Sequence, residues 1–330
     1  MKRMGRNVAV RVAAVDCGTN SIRLLVAERD AHTGAVVELA RRSRIVRLGQ
    51  GVGRTGRFAP EALERTFAAC AEFAQVIEEL KAESVAFVAT SATRDVADRA
   101  EFFSGVQRIL GVRPEVISGD EEAGLSFAGA VGSLSTGPGP WLVIDIGGGS
   151  TECVVGASAR SAPESGGTTS GALDVHASVS LDIGSVRLTE RHLADSEGSL
   201  DRASPEGIAA VRRDVEAALG GAAARLPLAP RPTLVGVGGS VTTLAAVRRG
   251  SKDGVHGVRL DIDEVREVSR LLLSADRAQR AAIDVIEPGR VDVIPAGSLI
   301  LLTAMERLGF PEIVVSRHGL LDGLAHRLVG

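Results

Sequence analysis

Three observations predict an α/β fold built of two similar halves facing one cleft. Apolar, β-type runs alternate with helical stretches along the chain, as expected for sheets covered by helices. A strand–turn–strand signature occurs twice, at Val12–Ala27 around Asp16-Cys-Gly-Thr-Asn-Ser21 and at Leu142–Gly156 around Asp145-Ile-Gly-Gly-Gly-Ser150; Asp16 aligns with Asp145, Gly18 with Gly147, Ser21 with Ser150 and Leu25 with Val154. Between the copies, Gly132–Pro140 is rich in Gly, Ser and Pro, and the strand pattern restarts at Trp141. A chain of 330 residues accommodates two domains of roughly 100–200 residues each. The expected spans are 1–134, with 1–10 as a flexible tail, and 135–330.

Each element follows from local chemistry. Val12–Val15 and Ile22–Ala27 are apolar runs joined by a Gly/Asn/Ser turn, hence a hairpin. Ala35–Leu48 reads as a further strand carrying Arg41, Arg42, Arg44 and Arg47, and Gly49–Arg57 as a flexible glycine loop that adds Arg54 and Arg57. Pro60–Lys81 reads as a helix, with Pro in the first turn and Leu63, Phe67, Cys70, Ala74 and Ile77 at helical spacing. Val85–Thr90 is a short buried strand, Asp95–Leu110 a helix, Pro114–Ile117 a strand and Asp120–Val131 a helix. After the restart, Ser158–Gly171 is small and polar and reads as a surface loop, followed by a strand at Val175–Leu181. Helices are expected over Ser185–Leu193, Pro205–Leu219, Ile262–Leu273, Ala296–Leu308 and Gly319–Val329. Thr233–Val237 is a buried strand running into Gly238-Gly-Ser240, where another helix begins.

The duplicated turns carry the first chemical signal. Glycines let backbone N–H groups approach an anion without a Cβ in the way, and an Asp closing each first strand can hold a divalent cation. Two such turns predict a site for phosphate chains and a metal. The strand-to-helix turn at Gly238, Gly239 and Ser240 exposes N–H groups at a helix start, which suits phosphate but equally serves tight helix–strand packing. Asp120, Glu121 and Glu122 crowd a helix start; they either complement its dipole or aim a carboxylate into the cleft to take a proton from water. Arg94 follows a strand ending in small hydroxyl residues, and its planar fork suits phosphate oxygens. The arginines from 41 to 57 form either a solvated face or a guide for a long polyanion.

Composition removes other classes. Eight Phe, one Trp and no Tyr leave no stacking surface for single-stranded nucleic acid, and a net charge of −3 gives no global pull toward nucleic acid or membrane. Three dispersed cysteines, Cys17, Cys70 and Cys153, make no disulfide framework and no zinc site, so a reducing cytoplasm is expected. Cys17, in the first turn, has no nearby His partner and reads as a buried small residue. No apolar stretch reaches the ~18–20 residues needed to span a bilayer. The six histidines lack metal-ligand spacing, and Walker A and Gly-x-Ser-x-Gly motifs are absent.

These residues resemble the Ppx/GppA phosphatase family of exopolyphosphatases and guanosine pentaphosphate phosphohydrolases, part of the actin-like ATPase and sugar-kinase superfamily. The resemblance runs from about Val12 to Leu328 and rests on seven ordered motifs: 16–21, Arg-Leu-Gly-Gln-Gly at 47–51, Ala-Thr-Ser-Ala-Thr-Arg at 89–94, Ile-Ser-Gly-Asp-Glu-Glu-Ala at 117–123, Ile-Asp-Ile-Gly-Gly-Gly-Ser-Thr-Glu at 144–152, Gly-Val-Gly-Gly-Ser at 236–240 and Arg290-Val-Asp-Val-Ile294. It implies two actin-like (ribonuclease H-like) domains about an interdomain cleft, without the C-terminal HD-type domain of longer relatives, and a last helix at about 319–329 packed back on the first domain. It implies Glu122 as catalytic base, Arg94 as a phosphate-contacting arginine of the catalytic site and Asp145 as the metal-associated acid; with Asp16 from the turn reading, this gives a Mg²⁺ or Mn²⁺ site. It implies the Asn20–Ser21 and Gly147–Ser150 turns as phosphate cradles; with the turn readings above, the candidate phosphate-binding residues are Gly18, Thr19, Asn20, Ser21, Gly147, Gly148, Gly149, Ser150, Gly238, Gly239 and Ser240. The implied substrate is inorganic polyphosphate, with guanosine pentaphosphate as a further candidate and no nucleic acid or membrane partner; a homodimer is the default expectation. A kinase or ATPase of the same superfamily and a non-catalytic sensor of guanosine tetra- or pentaphosphate are the alternatives. Departures are Asp98, where the family often has Asn, the 158–171 loop, and Ser316-Arg-His-Gly319 in place of an acidic-Gly-Gly pattern, which leaves His318 without an implied role.

Overall fold

The computed structural model describes residues 9–134, 139–158, 173–195 and 200–330. Most of the expected tail, residues 135–138 of the linker and all but Ser158 of the 158–171 loop lie outside the described residues.

In the first half, β1 (Val10–Cys17), β2 (Ser21–Arg29) and β3 (Val36–Ile45) form an antiparallel meander, and β4 (Ser84–Ala89) and β5 (Glu115–Val116) extend it in parallel, giving the order β3-β2-β1-β4-β5. The helices are α1 (Val52–Thr55), α2 (Pro60–Glu79), α3 (Ser91–Arg94), α4 (Ala100–Leu110) and α5 (Gly119–Gly132). The second half repeats the plan. Its antiparallel strands are β6 (Trp141–Ile146), β7 (Thr151–Ser158) and β8 (Leu173–Leu181), and β9 (Thr233–Val237) lies parallel to β6. The helices α6 (Ser185–Leu188), α7 (Pro205–Ala223), α8 (Gly238–Arg249), α9 (Ile262–Ser274), α10 (Arg277–Ala281), α11 (Ile294–Leu308) and α12 (Leu320–Val329), with β10 (Arg259–Asp261) and β11 (Glu312–Val315), complete it in the sheet order β10-β11-β9-β6-β7-β8. The central strands β1 and β6 are buried almost throughout, which is why they read as continuous apolar runs.

The glycine loop holds one helical turn, α1, because Gly51 and Gly56 take left-handed conformations at its two ends. The helix expected over 95–110 begins only at Ala100: the Arg99 side chain donates to the Val96 and Arg94 carbonyls and Asp98 accepts from the Ala100 N–H, so the chain turns between α3 and α4. Ser185–Leu193 begins as α6 and widens into a π-turn over Thr189–Leu193. The expected helix at 319–329 is α12.

Packing exchanges one helix between the halves. Ala123, Phe127, Ala130 and Val131 of α5 pack against Trp141, Val143, Val154 and Val235 of the second sheet. In return, Leu320, Leu321, Leu324 and Ala325 of α12 pack with Val12, Ala14 and Leu25 of the first. The expected boundary at 134/135 therefore falls between two elements, α5 and β6, that share one core. The exchanged helices meet backbone to backbone: a Cβ on Gly129 would lie 1.9 Å from the Gly319 carbonyl oxygen, and one on Gly323 would lie 2.1 Å from that of Leu125. Neither backbone can yield without separating the helices. Gly129→Ala or Gly323→Ala is expected to destabilise the protein by about 1–3 kcal/mol or more, measured by thermal unfolding; an unchanged midpoint would remove this crossing as the pivot.

Candidate active site

The two signature turns are built alike. Gly18 N–H donates to the Ser21 carbonyl over 2.9 Å, and Gly147 N–H to that of Ser150 over 3.0 Å. Both line one cleft, together with Asp16, Asp145, Glu122 and the Gly238–Ser240 turn at the start of α8. The turns also interlock: a Cβ on Gly149 would meet Thr19 Oγ1 at 2.6 Å, and one on Gly148 would meet Thr19 Cβ at 2.9 Å. Gly238 has φ +92 and would bring a Cβ within 2.9 Å of Asp145 Oδ1. Glycine is required at Gly148 and Gly149 by close approach of one half to the other, and at Gly238 by its positive φ and the end of β6 in its own half.

Register decides the electrostatics. In the β1–β2 hairpin Asp16 lies opposite Arg23; in the β6–β7 hairpin Asp145 lies opposite Glu152. The same scaffold thus gives one acid a cation and the other a second acid. Arg23 holds Asp16 through Nε at 3.0 Å and Nη2 at 2.5 Å. Asp145 accepts from Ser126 Oγ at 2.5 Å. Its pKa is raised by burial and by Asp16, against the Ser126 hydrogen bond and the charge of Arg23. Glu152 accepts from Ser180 Oγ at 2.9 Å and is pushed up strongly by burial, then by Glu122 and Asp145. Its sequence signal was its place at the end of the second turn motif, which by itself assigned it no role.

Glu122 sits in the first turn of α5, where Ser118 Oγ caps the helix by accepting from Glu121 N–H. Arg94 Nη1 donates to Glu122 Oε2 over 2.8 Å and to the Ile117 carbonyl over 3.1 Å, and its Nη2 reaches Ser150 Oγ at 3.5 Å. Burial, with the charges of Asp16 and Asp145, raises the Glu122 pKa to about 7 although Arg94 opposes the rise. Asp120 and Glu121 play other parts. Asp120 accepts from Ser178 Oγ and Glu121 from Arg327 on α12, so one acidic cluster divides into one cleft carboxylate and two surface contacts.

Three buried polar atoms of the first turn have no hydrogen-bond partner among the described residues: Thr19 Oγ1 and both amide atoms of Asn20. An unpaired buried group costs about 1–3 kcal/mol, so this cradle is built for a polar guest. The cavity of about 60 Å³ has room for a few waters or one phosphoryl group. Arg23 and Arg290, to which the sequence analysis gave no role, also line it.

Four buried carboxylates, Asp16, Glu122, Asp145 and Glu152, share two guanidinium partners, Arg23 and Arg94. No group of three or more metal-type side chains converges among the described residues. Mg²⁺ needs only one or two carboxylates beside substrate phosphates and water, so an uncompensated Asp145 with Asp16 nearby fits such an ion.

Other expected features lie elsewhere. Arg44 pairs with Glu72 and Arg47 with Asp292, so the arginine run is divided among structural ion pairs, with Arg41 and Arg42 beside a separate cavity. Cys17 is buried and its thiol is pushed well up by burial, then by Cys70 and Asp16, which leaves it neutral and unreactive. No described helix is long and apolar enough to cross a membrane.

Comparison with known proteins agrees with this architecture. The family model of the Ppx/GppA phosphatase family matches residues 25–330. Exopolyphosphatase 2 of Mycobacterium tuberculosis is 42% identical over 97% of this chain and 99% of its own length. The guanosine-5'-triphosphate,3'-diphosphate pyrophosphatase of Aeromonas salmonicida is 29% identical over 96% of this chain but only 59% of its own. Among solved structures, an exopolyphosphatase-like protein superposes with a TM-score of 0.88 at 41% identity, covering 98% of this chain and 99% of the other. The Aquifex aeolicus Ppx/GppA member superposes with a TM-score of 0.75 at 30% identity, covering 98% of each chain. The halves are thus two actin-like α/β lobes. Because the match extends through nearly the whole chain, including the helices α5 and α12 that the lobes exchange, this chain belongs to the Ppx/GppA phosphatase family.

Proposed function

We propose that this chain is an exopolyphosphatase, releasing the terminal phosphate of inorganic polyphosphate by direct attack of water. One observation carries the reading: Glu122, held neutral up to about pH 7 by burial, faces two phosphate-type turns within a cavity sized for one phosphoryl group. The orphaned Thr19 and Asn20 groups and the N–H groups at Gly147–Ser150 and Gly238–Ser240 bind the terminal phosphoryl oxygens. Arg94 orients Glu122 and adds positive charge beside Ser150. Glu122 takes a proton as the water oxygen bonds to phosphorus, and the bond from phosphorus to the departing chain breaks. A Mg²⁺ or Mn²⁺ ion, held by Asp145 with Asp16, supplies neutralising charge to the phosphoryl oxygens when bound.

Guanosine pentaphosphate ends in the same kind of anhydride, and the Aeromonas relative is named for that chemistry, so it is a second candidate substrate. Orthophosphate release from long polyphosphate, short polyphosphate and guanosine pentaphosphate, side by side with Mg²⁺, tests the proposal. Release from none of them rejects it, and ATP formed in place of orthophosphate when ADP is supplied points to a kinase.

The titration of Glu122 sets a pH profile. The base form fills as pH rises, so kcat/KM climbs about tenfold per unit on the acid side and levels off above about pH 7. Initial rates at subsaturating substrate check this; a profile flat from pH 5 to 8 would take Glu122 out of the proton transfer.

A further inference from the structure

A second cavity opens beside the catalytic one, sharing Arg23 and Arg290 as a common wall. It measures about 450 Å³, within the range of ligand sites. Arg41 and Arg42 from β3, Lys252 and His256 from the loop after α8, and Arg317 from the link before α12 face it; among the described residues its only acids are Asp253 and Glu287, and Glu287 accepts from Arg290 Nε at 3.0 Å. The cavity that adjoins the turns at Thr19 and Gly149 differs in charge. Of its cations Arg54, Arg187 and Arg191, Arg187 is paired with Asp95 and Arg191 with Asp214. A chain whose last phosphoryl group fills the 60 Å³ cavity must continue outside it, and the excess of positive charge lies on the Arg290 side.

His256 occupies a special place in this wall. Its Nε2–H donates to the Ser133 carbonyl over 3.3 Å, at the end of α5, and its Nδ1 accepts from the Arg317 N–H over 3.4 Å, just before α12. It therefore ties together the chain next to both exchanged helices. Its ring meets His318 edge to face at 4.8 Å between centroids. His318 Nδ1 donates to Asp322 Oδ1 over 2.8 Å, and Arg41 holds the same carboxylate. The titratable and charged neighbours of His256 are thus His318 and Arg317 on one link, Asp322 on α12, and Lys252 and Asp253 in its own loop. Asp322, whose charge would favour a histidinium, is already occupied by Arg41, His318 and the Gly319 N–H. The bond accepted from Arg317 requires a bare Nδ1, and burial, then the positive surroundings, hold the ring below the usual imidazole pKa. A polyanion in the cavity reverses that balance by placing negative charge against the ring.

Resting on the exopolyphosphatase reading, we propose that this cavity is the subsite for the phosphates upstream of the scissile bond, and that its filling is coupled to proton uptake by His256. Protonated Nδ1 can no longer accept from Arg317, so the filled subsite also releases one tie between the links that join the lobes.

The test compares kcat/KM for long polyphosphate with that for tripolyphosphate at pH 6 and pH 8. Taking the ratio cancels the titration of Glu122, which both substrates share. In the wild type the ratio is expected to be about three- to fivefold higher at pH 6, since a one-unit pKa rise reaches tenfold only well below both pKa values and the free ring starts below the usual imidazole value. In His256→Gln it should be the same at both pH values. Arg42→Ser with Lys252→Ser, both exposed positions, should lower the ratio at both pH values and make the logarithmic salt dependence of long-chain KM shallower by about 1–2. Tripolyphosphate turnover should persist in all of them. A wild-type ratio independent of pH, or a His256→Gln variant that keeps the dependence, overturns the proton coupling. A ratio unmoved by loss of Arg42 and Lys252 overturns the subsite. If the wild type hydrolyses neither substrate, the enzymatic reading fails instead; direct titration of the same proteins with long polyphosphate then decides the subsite alone, by whether the variants weaken binding.

Discussion

Glu122→Gln is expected to lower kcat by about 10²–10⁴, the usual worth of a positioned general base, while KM for polyphosphate stays within a few-fold. Gln matches Glu in shape and can still accept the hydrogen bond from Arg94 through its amide oxygen, so the cleft should keep its form. The substitution removes only the capacity to take a proton. Stability gives an independent check. The folded carboxyl titrates at about 7 and an unperturbed glutamate at about 4.3. Between these values the folded state keeps a proton the unfolded state has lost, so native stability falls as pH rises through that window. Gln has no such cost, and the melting temperature of the variant relative to wild type should increase from pH 5 to pH 8. Near-normal turnover, or a melting difference that does not change with pH, would remove Glu122 from its assigned role.

The second large effect is expected at Asp145. Asp145→Asn keeps the side-chain size and leaves an oxygen for the Ser126 hydrogen bond, yet removes the charge that Arg23 does not directly neutralise. Loss of a group that only orients a metal ligand commonly costs 10–100-fold, so loss of a ligand charge itself should cost about 10²-fold or more in kcat/KM. The concentration of Mg²⁺ needed for half-maximal rate should rise in parallel. Asp145 also raises the pKa of Glu122, so whatever activity remains should have its acid limb displaced toward lower pH. A variant with normal Mg²⁺ dependence would place the ion elsewhere in the cleft.

Much of this site was readable before any coordinates. The duplicated turns announced themselves because a hairpin that cradles phosphate needs glycine at particular steps, and the spacing of Asp16 and Asp145 from those glycines is covalent. Glu122 was harder. As one of three acids at a helix start it looked like a capping residue, and only family resemblance favoured it; the structure divides the three by direction, with Glu122 in the cleft, Asp120 toward β8 and Glu121 toward α12. Glu152 and Arg23 stood in plain view but lacked meaning until strand register set each opposite an aspartate. The short strands β10 and β11 escaped notice because three or four residues carry too little periodicity to register. Helix α10 did leave a signal, the capping box of Asp276 and Gln279, in a stretch otherwise too short to judge.

Sequence alone determined the α/β class, the two-fold repetition of the plan and the residues of the two glycine turns, because these depend on periodicity and on glycine chemistry over short spans. Tertiary structure alone decided which carboxylates are neutralised, which helix covers which sheet and where the positive charge collects. Those depend on the pairing of strands and the crossing of α5 with α12 at Gly129 and Gly323, contacts between residues far apart in the chain, for which no local spacing leaves a trace.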